Sequence, residues 1–510
     1  MIDLFPRFGK ILISGPRYQA ARVFRGKQDV RWGKPGFLKI LFQFYILKVF
    51  KEEPHKKNDF LRELDQDAMD DESNEKDIDL CMDSSEKEKD ASLYNLDDQV
   101  SFWSDYLGTR FHPKSVLLAK SFQHENTTHP FDVWGLGRGA WEGGDGVGEE
   151  VEDRLRLMAE ECDCLGGVQL VADWQGGWGG VTSRIVELVR DEYASKPLLT
   201  FPCAPATLPT YTLEQGLLRL AGAALTLSSS TSSSLTSPLS LCRDWLPLAG
   251  RSTSITHCPY NASLAYHSSA VLALSLDTAT LPYRRREGRG PSLSPSELAY
   301  SLATHGRKIA ALSTDLPVSI DFPDTAGYIE SDVLSRTASL LPGTGNSKAT
   351  PVFSPNPYFA LLTLRGLQAP ALHSRRSSKF EQCPSAAAYL ASAVNSHRRD
   401  CRPVAAYLFT KPAPTGKPFP HIFSPSVEPC GSLGKEERPA GQGVSFATQL
   451  TAWSAGPEAG VAVAGLAQQA SKLQLGKVHR LVESGVELEE WEEALENLRE
   501  LADCYTEEDF

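Results

Sequence analysis

Between residues 149 and 162 apolar side chains recur at three- and four-residue spacing: Val151, Leu155, Met158, Ala159 and Cys162 make one stripe. Glu152, Asp153, Arg156 and Glu160 fall on the other side, so the pattern predicts an amphipathic helix. Residues 168–172 (Val-Gln-Leu-Val-Ala) form a short, mostly apolar run that predicts a buried strand, and 115–119 predict another. Glycine-rich stretches at 135–148 and 174–180 are expected to be loops; after the second, Ile185, Leu188 and Val189 mark the inner face of a helix over 182–193. Strand, glycine turn and helix in that order predict a doubly wound α/β domain.

Further along, helices are expected near 213–225, 269–276 and 295–305, and a strand at 308–312. Eight of the thirteen residues from Ser228 to Ser240 are serine, which reads as an exposed insertion or loop. From about 325 to 445 Pro, Gly and Ser become dense, with short strands such as 404–409 between turns and Arg375 and Arg376 in an expected surface loop. At the end of the chain Leu488, Trp491, Leu495, Leu498, Ala502 and Tyr505 form one apolar seam with an acidic back. That seam suits a helix docked on its own domain, or one offered to a partner's groove.

Charge changes this picture by its placement. The net charge of −12 over 510 residues hides a basic start, with ten Lys/Arg against two Asp in residues 1–50. Residues 51–100 carry eighteen acids against seven bases, residues 481–510 twelve against one, and the body between them is nearly neutral. The 51–100 stretch is poor in aromatics and is expected to be a disordered linker. No basic stripe runs through the body, which argues against nucleic-acid binding. The longest apolar stretch, 37–50, is broken by Lys39, Gln43 and Lys48 and is too short to span a bilayer. Ten cysteines include no Cys-x-x-Cys pair and read as reduced thiols rather than zinc ligands.

The chemistry-bearing motif is Gly176-Gly177-Trp178-Gly179-Gly180, between the predicted strand and helix. Glycines let a backbone approach a phosphate, and a helix start offers it free N–H groups, so Gly176, Gly177, Gly179, Gly180 and Thr182 are the candidate nucleotide-binding residues. No Gly-Lys-Ser/Thr follows, so a Walker-type lysine is missing. His124-Glu125-Asn126-Thr127-Thr128-His129 has its second histidine one residue too late for a zinc-protease helix and is expected to be a loop. Cys162 and Cys164 are expected to be packing residues, and no acid–base or nucleophilic constellation is readable from spacing.

The stretch from Glu161 to Leu170, the glycine run and Arg190-Asp191-Glu192-Tyr193 together resemble the segment around the nucleotide-binding glycine loop of tubulins. Pro259-Tyr260-Asn261-Ala262-Ser263-Leu264-Ala265-Tyr266-His267 resembles the tubulin segment after the ribose-contacting loop. Trp103-Ser104-Asp105-Tyr106-Leu107, Leu239-Ser240-Leu241 and Leu276 to Arg284 look like the misato family, tubulin-related proteins linked to mitochondrial distribution and morphology; the resemblance covers roughly 100–505. Two departures from tubulins matter. Trp178 stands where tubulins place a phosphate-binding hydroxyl, and Cys258 stands where they place a carboxylate for the ribose.

The resemblance implies a tubulin-like α/β domain over 101–325, then a smaller α+β region over 326–510 ending in acidic helices. Residues 1–50 match neither family and are expected to be a non-homologous or alternative start. It also implies a non-enzymatic regulator of mitochondrial distribution, morphology and network formation or fusion, in the cytoplasm and at the mitochondrial outer membrane. No cofactor is expected, with GTP as the alternative. Two other functions stay open: a GTP-binding, polymer-forming protein like tubulin, and an assembly factor whose protein partner is tubulin or a chaperonin.

Overall fold

A computed structural model describes residues 44–45, 57–73, 94–100, 103–108, 115–118, 130–143, 146–207, 212–246, 251–284, 293–318, 336–344, 359–366, 388, 390–392, 404–434, 436–439 and 441–506. The His124–His129 motif, the Arg375–Arg376 pair and nearly all of the basic first fifty residues lie outside them. In chain order the elements begin with β1 (Phe44–Tyr45), α1 (Asp59–Ser73), β2 (Leu117–Leu118), α2 (Trp134–Glu142) and α3 (Val147–Glu160). Next come β3 (Val168–Asp173), α4 (Gly176–Glu192), β4 (Leu198–Cys203), α5 (Leu213–Ser230), β5 (Leu235–Thr236), α6 (Ala265–Arg284) and α7 (Pro295–Leu302). The second half holds β6 (Ala311–Asp315), β7 (Ala338–Ser339), β8 (Phe359–Arg365), β9 (Val404–Phe409), β10 (Ala413–Pro414), β11 (Phe446–Ala447) and β12 (Gln449–Ala455). Three helices follow, α8 (Pro457–Ala470), α9 (His479–Glu483) and α10 (Leu488–Asp503).

The α/β expectation holds. Strands β3, β4 and β5 are parallel, with Val168 opposite Leu198 and Leu199 opposite Leu235. Helix α3 covers this sheet with its Val151, Leu155 and Met158 stripe, which packs with Ile185, Val186 and Val189 of α4. A second, mixed sheet runs β7-β6-β12-β8-β9, antiparallel except for the parallel pair β8–β9. Between the sheets lies a core in which Phe201 of β4 and Trp453 of β12 sit 5.7 Å apart, both fully buried. Each such side chain contributes about 2–3 kcal/mol by leaving water. A buried ion cluster ties α6 to the second sheet: Asp277 pairs with Arg284 of its own helix and, at 2.7 Å, with Arg365 at the end of β8.

Several expectations need correction. The stretch 135–148 is not one loop: α2 and the start of α3 occupy most of it, and its glycines Gly135 and Gly137 leave room for Ser484, just past α9, and for the Gly177 carbonyl of α4. The glycine run likewise forms the first turn of α4. Far from being an exposed insertion, the serine-rich segment ends α5 and supplies β5, the sheet strand beyond β4. Its polar side chains can be buried because their hydroxyls are bonded: Ser230 donates to the Thr226 carbonyl at 2.7 Å, Thr236 donates to that of Ser230, and Ser233 meets Thr200 at 2.8 Å. The acidic 51–100 stretch is not without structure either. It forms α1, where Glu63 pairs with Lys417, and Tyr94 donates its hydroxyl to the Phe419 carbonyl.

A division at residue 325 also falls inside one sheet, since β6 pairs with β12. The terminal seam takes the first of its two expected forms. Trp491, Leu495, Leu498, Ala502 and Tyr505 are buried in a cluster with α5 and α8, and only Leu488 stays exposed. Beyond α10, the Tyr505 hydroxyl bonds both the N–H and the carbonyl of Ile309, on the side of that segment away from Thr236 of β5. Among the described residues no helix is long and apolar enough to cross a membrane.

Candidate functional site at the glycine helix

The expected phosphate site is the junction of β3 and α4, at the carboxyl end of a parallel sheet, where α/β folds place ligands. All five candidate residues, Gly176, Gly177, Gly179, Gly180 and Thr182, lie together in the first two turns of α4, and all are buried. What surrounds them is protein. The chain entering α2 runs across the start of α4: the Gly177 N–H donates to the Phe131 carbonyl at 3.1 Å, and the Phe131 ring lies against the Gly177 Cα. A Cβ on Gly177 would come within 2.5 Å of that ring, and one on Gly176, whose φ is +59°, within 3.0 Å of the Asp132 Cα. Trp178 is half-buried against the core beneath α3 and α4 and packs edge-on against Phe131, with ring centres 5.0 Å apart.

Deeper in α4 the glycines serve helix contact. A Cβ on Gly180 would strike the Trp134 carbonyl of α2, one on Gly179 the Thr226 hydroxyl of α5, and one on Gly137 of α2 the Gly177 carbonyl. The hydroxyl of Thr182 is turned inward and donates to the Trp178 carbonyl at 2.8 Å and to that of Asp173 at 3.2 Å. Glycine here buys proximity of three helices.

The polar groups at the start of α4 are also committed. Asp173 accepts the Gln175 N–H at 2.8 Å, and Gln175 accepts from Arg219 of α5 at 2.7 Å. Neighbouring protein raises the Asp173 carboxyl, against the pull of the Gln175 N–H and Arg219, and the residue itself is exposed at the end of the strand. Asp132 forms a two-pronged pair with Arg480 of α9, one arm at 3.0 Å. Beside it Arg138 of α2 pairs with Glu490 of α10 at 2.6 Å, bonds the Gly485 carbonyl and lies over the Trp134 ring.

A nucleotide is the group this fold would suggest, and the residues present do not fit its phosphates. Phosphate recognition at a helix start needs free N–H groups and open space. Here the Gly177 N–H is bonded, a phenyl ring covers its Cα, and Thr182 faces inward. The place of the ribose carboxylate is also changed. Cys258 is buried in the inter-sheet core, which pushes its thiol up to about 12. Asn261 uses its side chain to accept from Ser263 (N–H at 3.0 Å, hydroxyl at 2.7 Å), while its N–H donates to His267 Nδ1. Among the described residues no group of three or more His, Cys, Asp or Glu could hold a metal.

Sequence reading found the glycines but not their partners. Phe131, Asp132, Arg138 and Arg480 come from segments far away in the chain; the Gly135-x-Gly137 pair was the local sign that something packs closely there.

Comparison with known proteins places these features in context. Residues 94–285, from the Tyr94 clasp to the end of α6, match a family model described as Tubulin domain. The chain is 31% identical over 439 residues to Protein misato homolog 1 of Danio rerio, covering 83% of this chain and 72% of that protein. It is 29% identical to Protein misato homolog 1 of Mus musculus, over 81% of this chain and 74% of the relative. With Protein misato of Drosophila melanogaster the identity is 26%, over 82% and 74%.

Proposed function

The chain belongs to the misato family, and from that membership we propose that it is a non-enzymatic, tubulin-related regulator of mitochondrial distribution, morphology and network formation or fusion. The observation that carries the reading is the extent of the likeness. It spans about four-fifths of the chain, more than twice the length of the tubulin-type segment, so the likeness is not confined to that segment. A role without catalysis is supported by the start of the glycine helix, where the Phe131 carbonyl takes the Gly177 N–H, and by the inward-facing Thr182. We place the protein in the cytoplasm and at the mitochondrial outer membrane.

The test is depletion in cells with rescue by the full chain, scored by mitochondrial network shape, alongside fractionation with protease treatment of intact mitochondria. Fragmented or clustered mitochondria that recover on rescue, and a protease-sensitive mitochondrial pool, are expected. A normal network after depletion, or a protein found only in the matrix or nucleus, would refute the reading.

A further inference from the structure

We propose that the anion-binding end of α4 has been taken over by the chain itself, with the Phe131–Asp132 segment seated where a phosphate would be and fastened there by the C-terminal helices. Four observations converge on it. The Phe131 carbonyl takes the Gly177 N–H, the bond an oxyanion would make. The phenyl ring covers the Gly177 Cα, filling the space that glycine leaves. Asp173 caps the Gln175 N–H, and the Asp132 backbone lies against Gly176, so two acidic residues stand at the positive end of the helix dipole. Finally, Asp132 is gripped by Arg480 of α9, and Arg138 next to it by Glu490 and Gly485.

These contacts change what the glycine motif is for. In a phosphate site, glycine keeps the backbone open for a ligand that comes and goes. At Gly177 the missing side chain is replaced by a phenyl ring of the same polypeptide, so the motif serves an internal joint. That joint links the α/β sheet to α9 and α10, an attachment a bound nucleotide could not make because its phosphates would displace Phe131. Loss of nucleotide and docking of the terminal helices are then one structural change.

The proposal predicts a specific coupling between Gly177 and Phe131, testable on the full chain. In the otherwise unchanged protein Gly177→Ala should lower the thermal midpoint by about 3 °C, because the new Cβ meets the ring. In a Phe131→Leu background, which keeps the carbonyl and an apolar side chain but removes the far ring atoms, the same change should be neutral or raise the midpoint, since alanine is the better helix former. Equal falls in both backgrounds would overturn the joint. The second arm titrates the unmodified protein with magnesium–GTP, magnesium–GDP and inorganic phosphate to millimolar levels, and measures guanine nucleotide released on denaturation by mass spectrometry. No midpoint shift and no released nucleotide are expected. A concentration-dependent rise, or near-stoichiometric nucleotide, would overturn the proposal while leaving the mitochondrial reading, which is tested in cells, untouched.

Discussion

Glycine is a poor helix residue unless something needs the space it leaves, and α2 and α4 show both situations side by side. Gly137 faces the Gly177 carbonyl across the α2–α4 contact, whereas Gly139, two residues on, has nothing within 4 Å of where its Cβ would be. Gly137→Ala is therefore expected to destabilise the protein by about 1–3 kcal/mol through overpacking, while Gly139→Ala should stabilise it by up to about 1 kcal/mol through helix propensity. Urea unfolding of the two variants against the parent checks the contrast; similar effects of the same sign would contradict it. The same contrast explains what could be read in advance. Residues 168–172 and 404–409 were legible as strands because each is an apolar run between turns, although only the first is mostly buried. The glycines of α2 and α4 read as loops, because their low propensity is visible in sequence and the neighbouring helix that outweighs it is not. The serine run was misread for a related reason: its composition suggests exposure, and only the fold supplies the Thr226, Ser230 and Thr200 partners that let it be buried.

Short elements outside the sheets are held by a few polar contacts, and one of these depends on proton uptake. The Tyr94–Val100 segment is clasped by two histidines: His421 Nε2 accepts the Tyr94 N–H at 3.3 Å, and His267 Nε2 meets Asp97 at 2.8 Å. Burial, then the neighbouring Arg438, holds the His421 imidazole below its ordinary value; Asp97 pulls the other way, and Lys417 adds to the depression. Folded protein thus keeps His421 neutral over a range where the unfolded chain, titrating near its usual value of about 6.5, takes up a proton. The stability this contact contributes is complete above that value and is lost as pH falls through the depressed one. Amide exchange over 94–100 should accelerate between about pH 7 and pH 5 relative to the β3–β4 core, and His421→Gln should flatten that dependence. Protection at Tyr94 that ignores pH would refute the clasp.

The terminal helix supports a second element-scale prediction. Its apolar side is filled by the chain's own α5 and α8, so any partner contact must use the outer face, where Glu492, Glu493, Glu496 and Glu500 are exposed. Replacing these four with Gln should leave the thermal midpoint within about 2 °C of the parent, because surface changes of this kind are small and like charges at four-residue spacing are relieved. A large fall in the midpoint would show that the acidic face is structural. With folding preserved, loss of a captured partner by this variant would locate the contact, a conclusion that removal of 481–510 cannot give because it uncovers the core.

At the scale of the molecule, the chain does not divide where its composition does. The Pro- and Gly-rich change near residue 325 suggests a domain boundary, yet β6, which precedes it, lies between β7 and β12 of the second sheet. Ile309, just before β6, bridges to Thr236 of the parallel sheet and is capped from the far end of the chain by Tyr505. Helix α5 of the first half is covered by α8 and α10 of the second, and Arg365 of β8 completes the pairing of Asp277. A fragment of residues 94–325 would keep the Ile309–Thr236 bridge but lose all the other contacts at once. Its β6 would have both pairing edges open, α5 would expose a buried Leu and Ala face, and Asp277 would lose one of its two arginines. Leaving such groups without partners costs several kcal/mol, comparable to the whole stability of a domain. The fragment is therefore expected to be insoluble, or to bind a hydrophobic dye and melt without a cooperative transition, while residues 57–510 melt cooperatively. Co-expression of 94–325 with 326–510 should restore a soluble, cooperatively melting complex, since the two pieces together hold both sheets. A fragment 94–325 that unfolds sharply by itself would show that the parallel sheet is an independent domain and that the terminal helices are an accessory to it.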